Sequence, residues 1–456
     1  MEKDRESVQY DIFRKFGNGN KYLLDLDKSL ELDETEKTVD SNALQKCRKK
    51  IEPWLSALFQ SEHLSLLLGS GFTKGLCSIA HTSSAGMEVP SLGSEIVDAK
   101  KIKEAAEKQA KELKRENANI EDYIRVIDQL LRSYDILGED DKKEKLEKTK
   151  NEILTDLFKS ISKSEKDFEK SALKTSEDDN DKSPILYLVS FLLSFSSRTA
   201  TRERLNIFTT NYDRFIEYGA DIAGLHILDR FVGFLEPIFR SSKLDLDLHY
   251  NPPGIRGEPR YLEGVIRLTK LHGSLDWIAK KELVCRRRLP FGEIPRDSEK
   301  FPVVIYPTSL KDKETAFYPY VDLFRDYAAA VCRPNSVLVT YGYGFGDSHL
   351  NRVIKDMLTI PSTHLVILSF DDNDKKIETF CKECLRADQL TVLIGSDLAS
   401  IQNLVDYFLP KPSIDKVSLR ENEILRSRKI SDEEQKDTIP PHSFVDTSDL
   451  ESRLKK

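Results

Sequence analysis

The chain has 456 residues, of which 39% are hydrophobic and 32% charged, and a formal charge of −7 at pH 7. It is long enough for one large domain or two to three smaller ones and apolar enough for a sizeable core. The acidic balance argues against a broad electrostatic grip on nucleic acid, so no direct nucleic-acid binding is expected from charge. Arg286-Arg287-Arg288 is the one candidate basic patch, with a solvated loop as its alternative.

In chain order, residues 1–42 read as a polar extension of weak periodicity. Leu44, Cys47, Ile51, Trp54 or Leu55, and Leu58 then recur at helical steps. That helix feeds an apolar strand over 64–68, which ends in Gly69-Ser70-Gly71-Phe72-Thr73 with a helix beginning near Phe72. Strand, glycine loop and helix open a doubly wound α/β domain. Residues 94–182 are dense in Lys and Glu and helical in pattern, as in the stretch 120–127. They read either as a helical insertion covering a nucleotide site or as a purely structural bundle, closed by a polar linker over 171–183. The apolar run 185–195 is too short to span a bilayer and fits a buried helix.

The α/β pattern resumes with a strand over 205–209 and a helix over 212–220. Residues 228–262 are irregular and suggest a small subdomain or long loop. A strand over 265–271 runs into His272, and one over 336–340 feeds Gly342-Tyr343-Gly344-Phe345-Gly346-Asp347. A helix over 348–358, strands over 364–370 and 390–394 and a helix over 401–408 complete a domain spanning 43–410, leaving 411–456 as a flexible tail. The fold class expected is α/β: a Rossmann-like, doubly wound parallel sheet with a helical insertion.

Four motifs follow buried strands and so fall at one edge of a parallel sheet, where ligands bind. Gly69, Ser70 and Gly71 allow close backbone approach to a diphosphate at a helix start, and Thr73 would cap or contact phosphate; a plain strand–helix turn remains the alternative. No G-x-G-x-x-G fingerprint is present, which argues against an ordinary dehydrogenase site. Asn211, in Thr209-Thr210-Asn211-Tyr212-Asp213, offers an amide that holds water or a ribose hydroxyl without titrating, or else caps a helix; capping is the stronger reading for Asp213. His272, beside Gly273, is placed to act as a general base. Gly342 and Gly344 repeat the logic of the first loop, and Asp347 is set to cap the next helix. Asp371 and Asp372 follow a strand where a carboxylate takes a ribose diol, or simply sits in a turn. The six cysteines are scattered without a disulfide framework, and Cys381-x-x-Cys384 has no second pair for structural zinc. No signal peptide is read at the N-terminus, so a reduced, cytoplasmic protein with no membrane association and no metal is expected.

In this order the motifs resemble the sirtuin-like family, and look closest to the bacterial sirtuin-like NAD hydrolases of antiphage defence. The matching stretches are Leu67-Leu68-Gly69-Ser70-Gly71-Phe72-Thr73, Pro90-Ser91-Leu92, Asn119-Ile120-Glu121-Asp122, Phe208-Thr209-Thr210-Asn211-Tyr212-Asp213, Lys270-Leu271-His272-Gly273-Ser274 and the ten residues 342–351. The resemblance covers about 43–410. Protein-deacylating sirtuins carry a four-cysteine zinc module after the histidine, where this chain has only Cys285 and Cys332. They also carry Pro-Asp-Phe-Arg after the first loop, where this chain has Met87-Glu88-Val89-Pro90-Ser91-Leu92, and many relatives have serine at Gly344.

The resemblance implies an NAD glycohydrolase that yields nicotinamide and ADP-ribose, a regulated effector that depletes NAD in abortive antiviral defence. It implies catalytic Asn211 and His272, with Gly69, Ser70, Gly71, Phe72, Thr73, Asp213, Gly342, Tyr343, Gly344 and Asp371 on the bound NAD. NAD enters as substrate, and no metal is called for. A homo-oligomer, or a separately encoded partner such as a HerA-like ring ATPase or a short Argonaute, is expected to gate the activity. A non-catalytic sensor of NAD or ADP-ribose is the alternative, with a lysine deacylase disfavoured by the missing zinc module. No clustered carboxylates read as a two-metal nuclease site.

Overall fold

The computed structural model describes residues 14–15, 22–23, 41–85, 98–112, 118–172, 183–198, 202–242, 246–250, 260–280, 283–294, 302–304, 318–372, 374–384 and 386–411. The expected tail beyond residue 411, the linker over 173–182, the Pro90-Ser91-Leu92 stretch and most of the N-terminal extension lie outside those residues.

Two short strands, β1 (Arg14–Lys15) and β2 (Tyr22–Leu23), come first. Helix α1 (Ser41–Phe59) leads into β3 (His63–Leu68) and α2 (Ser70–Ile79). Three helices then follow as the insertion: α3 (Ala99–Glu112), α4 (Ile120–Leu137) and the long α5 (Asp140–Ala172). Asn119 and Asp122 open α4 with a reciprocal box, each side chain accepting the other's backbone N–H at 3.2 and 3.0 Å. Helix α6 (Pro184–Ser196) starts with proline at its first position, where no N–H is missed, and is apolar all round because it is buried.

From α6 the chain enters β4 (Leu205–Thr209), α7 (Phe215–Ala223) and β5 (His226–Leu228). Short strands β6 (Phe231–Val232), β7 (Ile238–Phe239), β8 (His249–Tyr250) and β9 (Arg260–Tyr261) precede β10 (Val265–Lys270). Strands β11 (Gly273–Lys280), β12 (Leu283–Arg286) and β13 (Pro302–Val304) follow directly on His272. The remainder alternates α8 (Tyr320–Val331), β14 (Ser336–Tyr341), α9 (Ser348–Met357), β15 (His364–Ser369), α10 (Lys376–Glu383) and β16 (Leu390–Ile394). Two short helices over 396–403 and a π-turn over 404–408 replace the single helix expected at 401–408.

The central sheet runs β16-β15-β14-β3-β4-β10-β5, with every neighbouring pair parallel. Its strands are continuous apolar runs because both faces are covered. On one face α1, α2, α6 and α7 pack around Leu66, Phe72, Phe191 and Phe195. On the other, α8, α9 and α10 pack around Tyr327, Leu338 and Ile367. This is the doubly wound α/β fold expected. Part of the polar N-terminal extension joins it, since β2 adds antiparallel to the β16 edge.

A second, antiparallel sheet in the order β13-β11-β12-β7-β6 grows out of the residue after His272. Within the irregular stretch foreseen at 228–262, β6 and β7 join this sheet, while β8 and β9 form a separate pair. Among the described residues no helix is long and apolar enough to cross a membrane.

Candidate active site

From β3 the chain moves to one side through β4, and from β14 to the other through β15. The crevice at their carboxyl ends is therefore the topological switch point of the sheet. Two glycine loops meet there. Gly69 N–H donates to Tyr341 O at 3.1 Å and Gly71 N–H to Gly342 O at 3.0 Å. A Cβ on Gly69 would stand 2.5 Å from Gly342 O, and one on Gly71 2.6 Å from Gly342 Cα. Gly342 has φ +60° and its own Cβ would meet Gly71 at 2.6 Å. These three glycines are required by the contact of one loop with the other. Gly344 and Gly346 differ: both are exposed, and nothing lies within 4 Å of an added Cβ. Their backbone is open to a ligand.

Asn211 and His272 sit side by side by construction. Thr209 of β4 pairs with Lys270 of β10, and each candidate lies two residues beyond its member of that pair. Both are buried. The Asn211 backbone N–H donates to Thr209 Oγ1 at 3.0 Å, and that hydroxyl donates to Leu68 O. The Asn211 side-chain amide donates to Gly69 O at 2.9 Å and to Thr73 Oγ1 at 3.1 Å. Its two amide partners are thus the first glycine loop and helix α2, and Asn211 caps no helix of its own. Thr73 Oγ1 in turn donates to Asp213 Oδ2 at 2.6 Å.

Asp213 is only a marginal cap: α7 begins at Phe215, whose N–H lies 3.5 Å from Asp213 Oδ1. Desolvation pushes the Asp213 carboxyl up to about 6, against the pull of Lys270 and the Thr73 hydroxyl. Lys270, buried on β10, donates to Asp213 O and to Glu217 Oε1 at 3.0 Å.

His272 Nε2 lies 3.2 Å from Asp347 Oδ2. The other oxygen of Asp347 accepts the His349 N–H at 3.1 Å, so Asp347 caps α9 as expected. One carboxylate thereby ties the histidine to a helix start. Tyr343 is buried and its hydroxyl shares its one proton between Asp347 O at 3.2 Å and Asn351 Oδ1 at 3.0 Å, which holds the same loop from behind.

The helical insertion packs directly on this edge. Tyr212 and Leu275, neighbours of Asn211 and His272, belong to the core formed by Ile124, Phe158 and Ile161. Glu165 of α5, wholly buried, accepts the Arg214 N–H at 2.7 Å, Arg214 Nη2 at 2.6 Å and the Gly292 N–H at 2.8 Å. Arg214 completes its shell on Leu289 O and Glu293 O. The insertion is therefore latched by a buried ion pair three residues beyond Asn211.

The other sequence candidates fall into distinct places. Ser70 is exposed at the first turn of α2, two residues before the expected start. Phe72 is fully buried against Phe191 and Tyr341 at ring separations of 5.2 and 6.2 Å, a core residue beneath the loop. Asp371 is exposed beyond β15, while Asp372 caps α10 by accepting the Ile377 and Glu378 N–H groups. The arginine run is spent locally: Arg286 pairs with Asp229, Arg287 lies 3.4 Å from Glu236 Oε1, and Arg288 donates to Gly233 O. Cys381 is buried, which pushes its thiol up, and Cys384 donates to Phe380 O at 3.2 Å. No group of three or more potential ligands suited to a metal occurs among the described residues.

Two features were missed. The sequence marks Asp347 as a cap but not as the partner of His272, and it does not reveal the Glu165–Arg214 latch. A charged residue within each of the relevant stretches was the only available signal.

Residues 205–392, from β4 through most of β16, match the model of the SIR2-like domain. The match includes Asn211, His272 and the second glycine loop but not the first. Among solved structures the chain is similar to a triple mutant of a Sir2 homologue in complex with 2′-O-acetyl ADP ribose, at 10% identity and a TM-score of 0.35, covering 78% of this chain and 94% of that one. It is also similar to a sirtuin structure concerned with the basis of substrate affinity, at 9% identity and a TM-score of 0.33, covering 78% and 96%. No curated protein matches.

Proposed function

We propose that the chain is an NAD glycohydrolase that cleaves the nicotinamide–ribose bond. The observation that carries this reading is the pairing of an amide locked by Gly69 and Thr73 with a histidine beside Asp347, at the switch point of a sirtuin-like domain. Bond cleavage returns the C1′–N electron pair to the pyridinium ring, so nicotinamide leaves neutral and needs no general acid, unlike an ordinary glycoside leaving group. Asn211 holds the attacking water through its amide oxygen, since both amide hydrogens are committed to Gly69 O and Thr73 Oγ1. As the water oxygen bonds to C1′, its proton passes to His272, and the nearby Asp347 carboxylate favours the imidazolium that forms. The exposed backbone at Gly344 and Gly346, with the α2 N-terminus, seats the diphosphate. Asp371 reaches the adenosine side.

Constant hydrolysis of NAD would be lethal to a cell, so the activity is gated, in keeping with an antiphage effector. The latched insertion and the segment beyond residue 411 are the places for a second copy or a separately encoded partner to act. The test is purified protein with NAD, products resolved by chromatography, beside Asn211→Ala and His272→Ala. Nicotinamide and ADP-ribose form with the wild type, and each variant loses about 100-fold or more in turnover with NAD binding retained. Full turnover in both variants ends the assignment. Tight NAD binding with no products, even with the partner added, favours the sensor.

A further inference from the structure

The Asn211 carboxamide is nearly symmetric in shape, so only its partners decide whether oxygen or nitrogen faces the crevice. Gly69 O accepts only, which calls for the amide nitrogen on that side. Thr73 Oγ1 is ambivalent, because a hydroxyl can donate or accept. Asp213 removes the ambiguity: it takes the Thr73 proton at 2.6 Å, which leaves only a lone pair of Thr73 to meet Asn211 at 3.1 Å.

We infer that Thr73 and Asp213 are positioning residues, which act through one another to turn the Asn211 amide oxygen toward the reacting water. The inference rests on the glycohydrolase reading and deepens it. Neither residue need touch the substrate. The relay is held from every side. Lys270 of β10 binds the Asp213 carbonyl and Glu217 of α7, while Glu165 of α5 adds a negative charge nearby. Thr209 fixes the Asn211 backbone by accepting its N–H. With the Asp213 carboxyl ionising at about 6, the acceptor form is the one present at neutral pH. Loss of the Asp213 acceptor frees Thr73 to donate to Asn211, which sets Thr73 against Gly69 O over the orientation of the amide and presents nitrogen to the water in the flipped fraction.

The experiment is steady-state NAD hydrolysis by the full chain with Thr73→Val, Thr73→Ser, Asp213→Ala, Asp213→Asn and Asn211→Ala, each with a thermal melt. Thr73→Val and Asp213→Ala are expected to lower kcat about tenfold or more with KM within about threefold, as for a misaimed group. Thr73→Ser and Asp213→Asn keep a hydroxyl and an acceptor, so each returns kcat to within about threefold of wild type. A merely structural role would lower the melting temperature and shift kcat and KM without that rescue, and such a result overturns the inference. Wild-type kcat in Thr73→Val beside an inactive Asn211→Ala overturns the inference and leaves the glycohydrolase reading standing. Full turnover in Asn211→Ala, or none in the wild type even with the gating partner added, removes both.

Discussion

At the amino ends of the central strands, His63 and Arg333 converge on Glu203, while Arg204 and Arg267 approach Asp247. Arg198 there donates to Phe59 O and Ser61 O at 2.8 and 2.6 Å. At the carboxyl ends of the same strands, Asn211, Thr73, Asp213, His272 and Asp347 are likewise hydrogen-bonded or closely paired, but around a crevice. The first set joins side chains to opposite charges or to backbone carbonyls, and its partly exposed Arg333–Glu203 pair is worth about 0–1 kcal/mol. The second set spends its inner atoms on the fold and keeps the amide oxygen and the glycine backbone for something else. Polar density alone does not distinguish a site from a strut; the direction of the unspent atoms does.

The sharpest way to test that contrast is the latch beneath the crevice. Glu165→Ala leaves Arg214 buried without its carboxylate, and should cost about 3–5 kcal/mol, read from the denaturant midpoint. Because Arg214 follows the Asn211 loop, turnover should fall with it. A loss below about 1 kcal/mol would place Glu165 with the surface pairs of the other end and undo the idea of a latched insertion. Asp347→Asn is gentler. Asparagine caps a helix about as well as aspartate, so stability should change by well under 1 kcal/mol. What disappears is the charge 3.2 Å from His272, and kcat should drop about 10- to 100-fold if that carboxylate favours the imidazolium. An unchanged kcat would reduce Asp347 to a cap.

The long strands were legible because burial on both faces makes them unbroken apolar runs: residues 205–209 and 390–394 fall where periodicity put them, and four others within one residue. The second sheet was not. β11 carries Asp276 and Trp277 in its middle, and β13, which pairs with it, and β7, which pairs with β12, are distant in sequence, so no local pattern marks the sheet. The same holds within the site. Asn211 and His272 announce themselves by standing at strand ends, whereas Asp347 meets His272 only because two loops fold over three intervening strand spacings. Gly69, Gly71 and Gly342 show the complementary limit: a glycine signals close backbone approach, here of one loop to the other, without naming the ligand the loops would meet.

The smallest effect separates the two ends by the sign of their pH dependence. His364 opens β15 at the amino end, bonded to Thr391 Oγ1 at 2.8 Å and set edge-on to Trp54. Burial pushes its imidazole down from 6.5 to about 4, against a weaker upward pull from Asp388. Between those values the unfolded chain takes up a proton that the fold does not, so stability is full above 6.5 and declines as the pH falls toward 4. Asp213 at the carboxyl end has the opposite shift, from 3.8 up to about 6, so the fold there binds the extra proton and loses stability as the pH rises through that window. Melting temperature followed from pH 7 to 4 should therefore flatten in His364→Gln, which removes the acid-sensitive contribution, and steepen in Asp213→Asn, which removes the opposing one. His364→Gln should leave kcat at neutral pH unchanged. Slopes that move together in the two variants would mean that the two ends do not differ in this way, and that both groups answer to the global charge of the chain and not to their own surroundings.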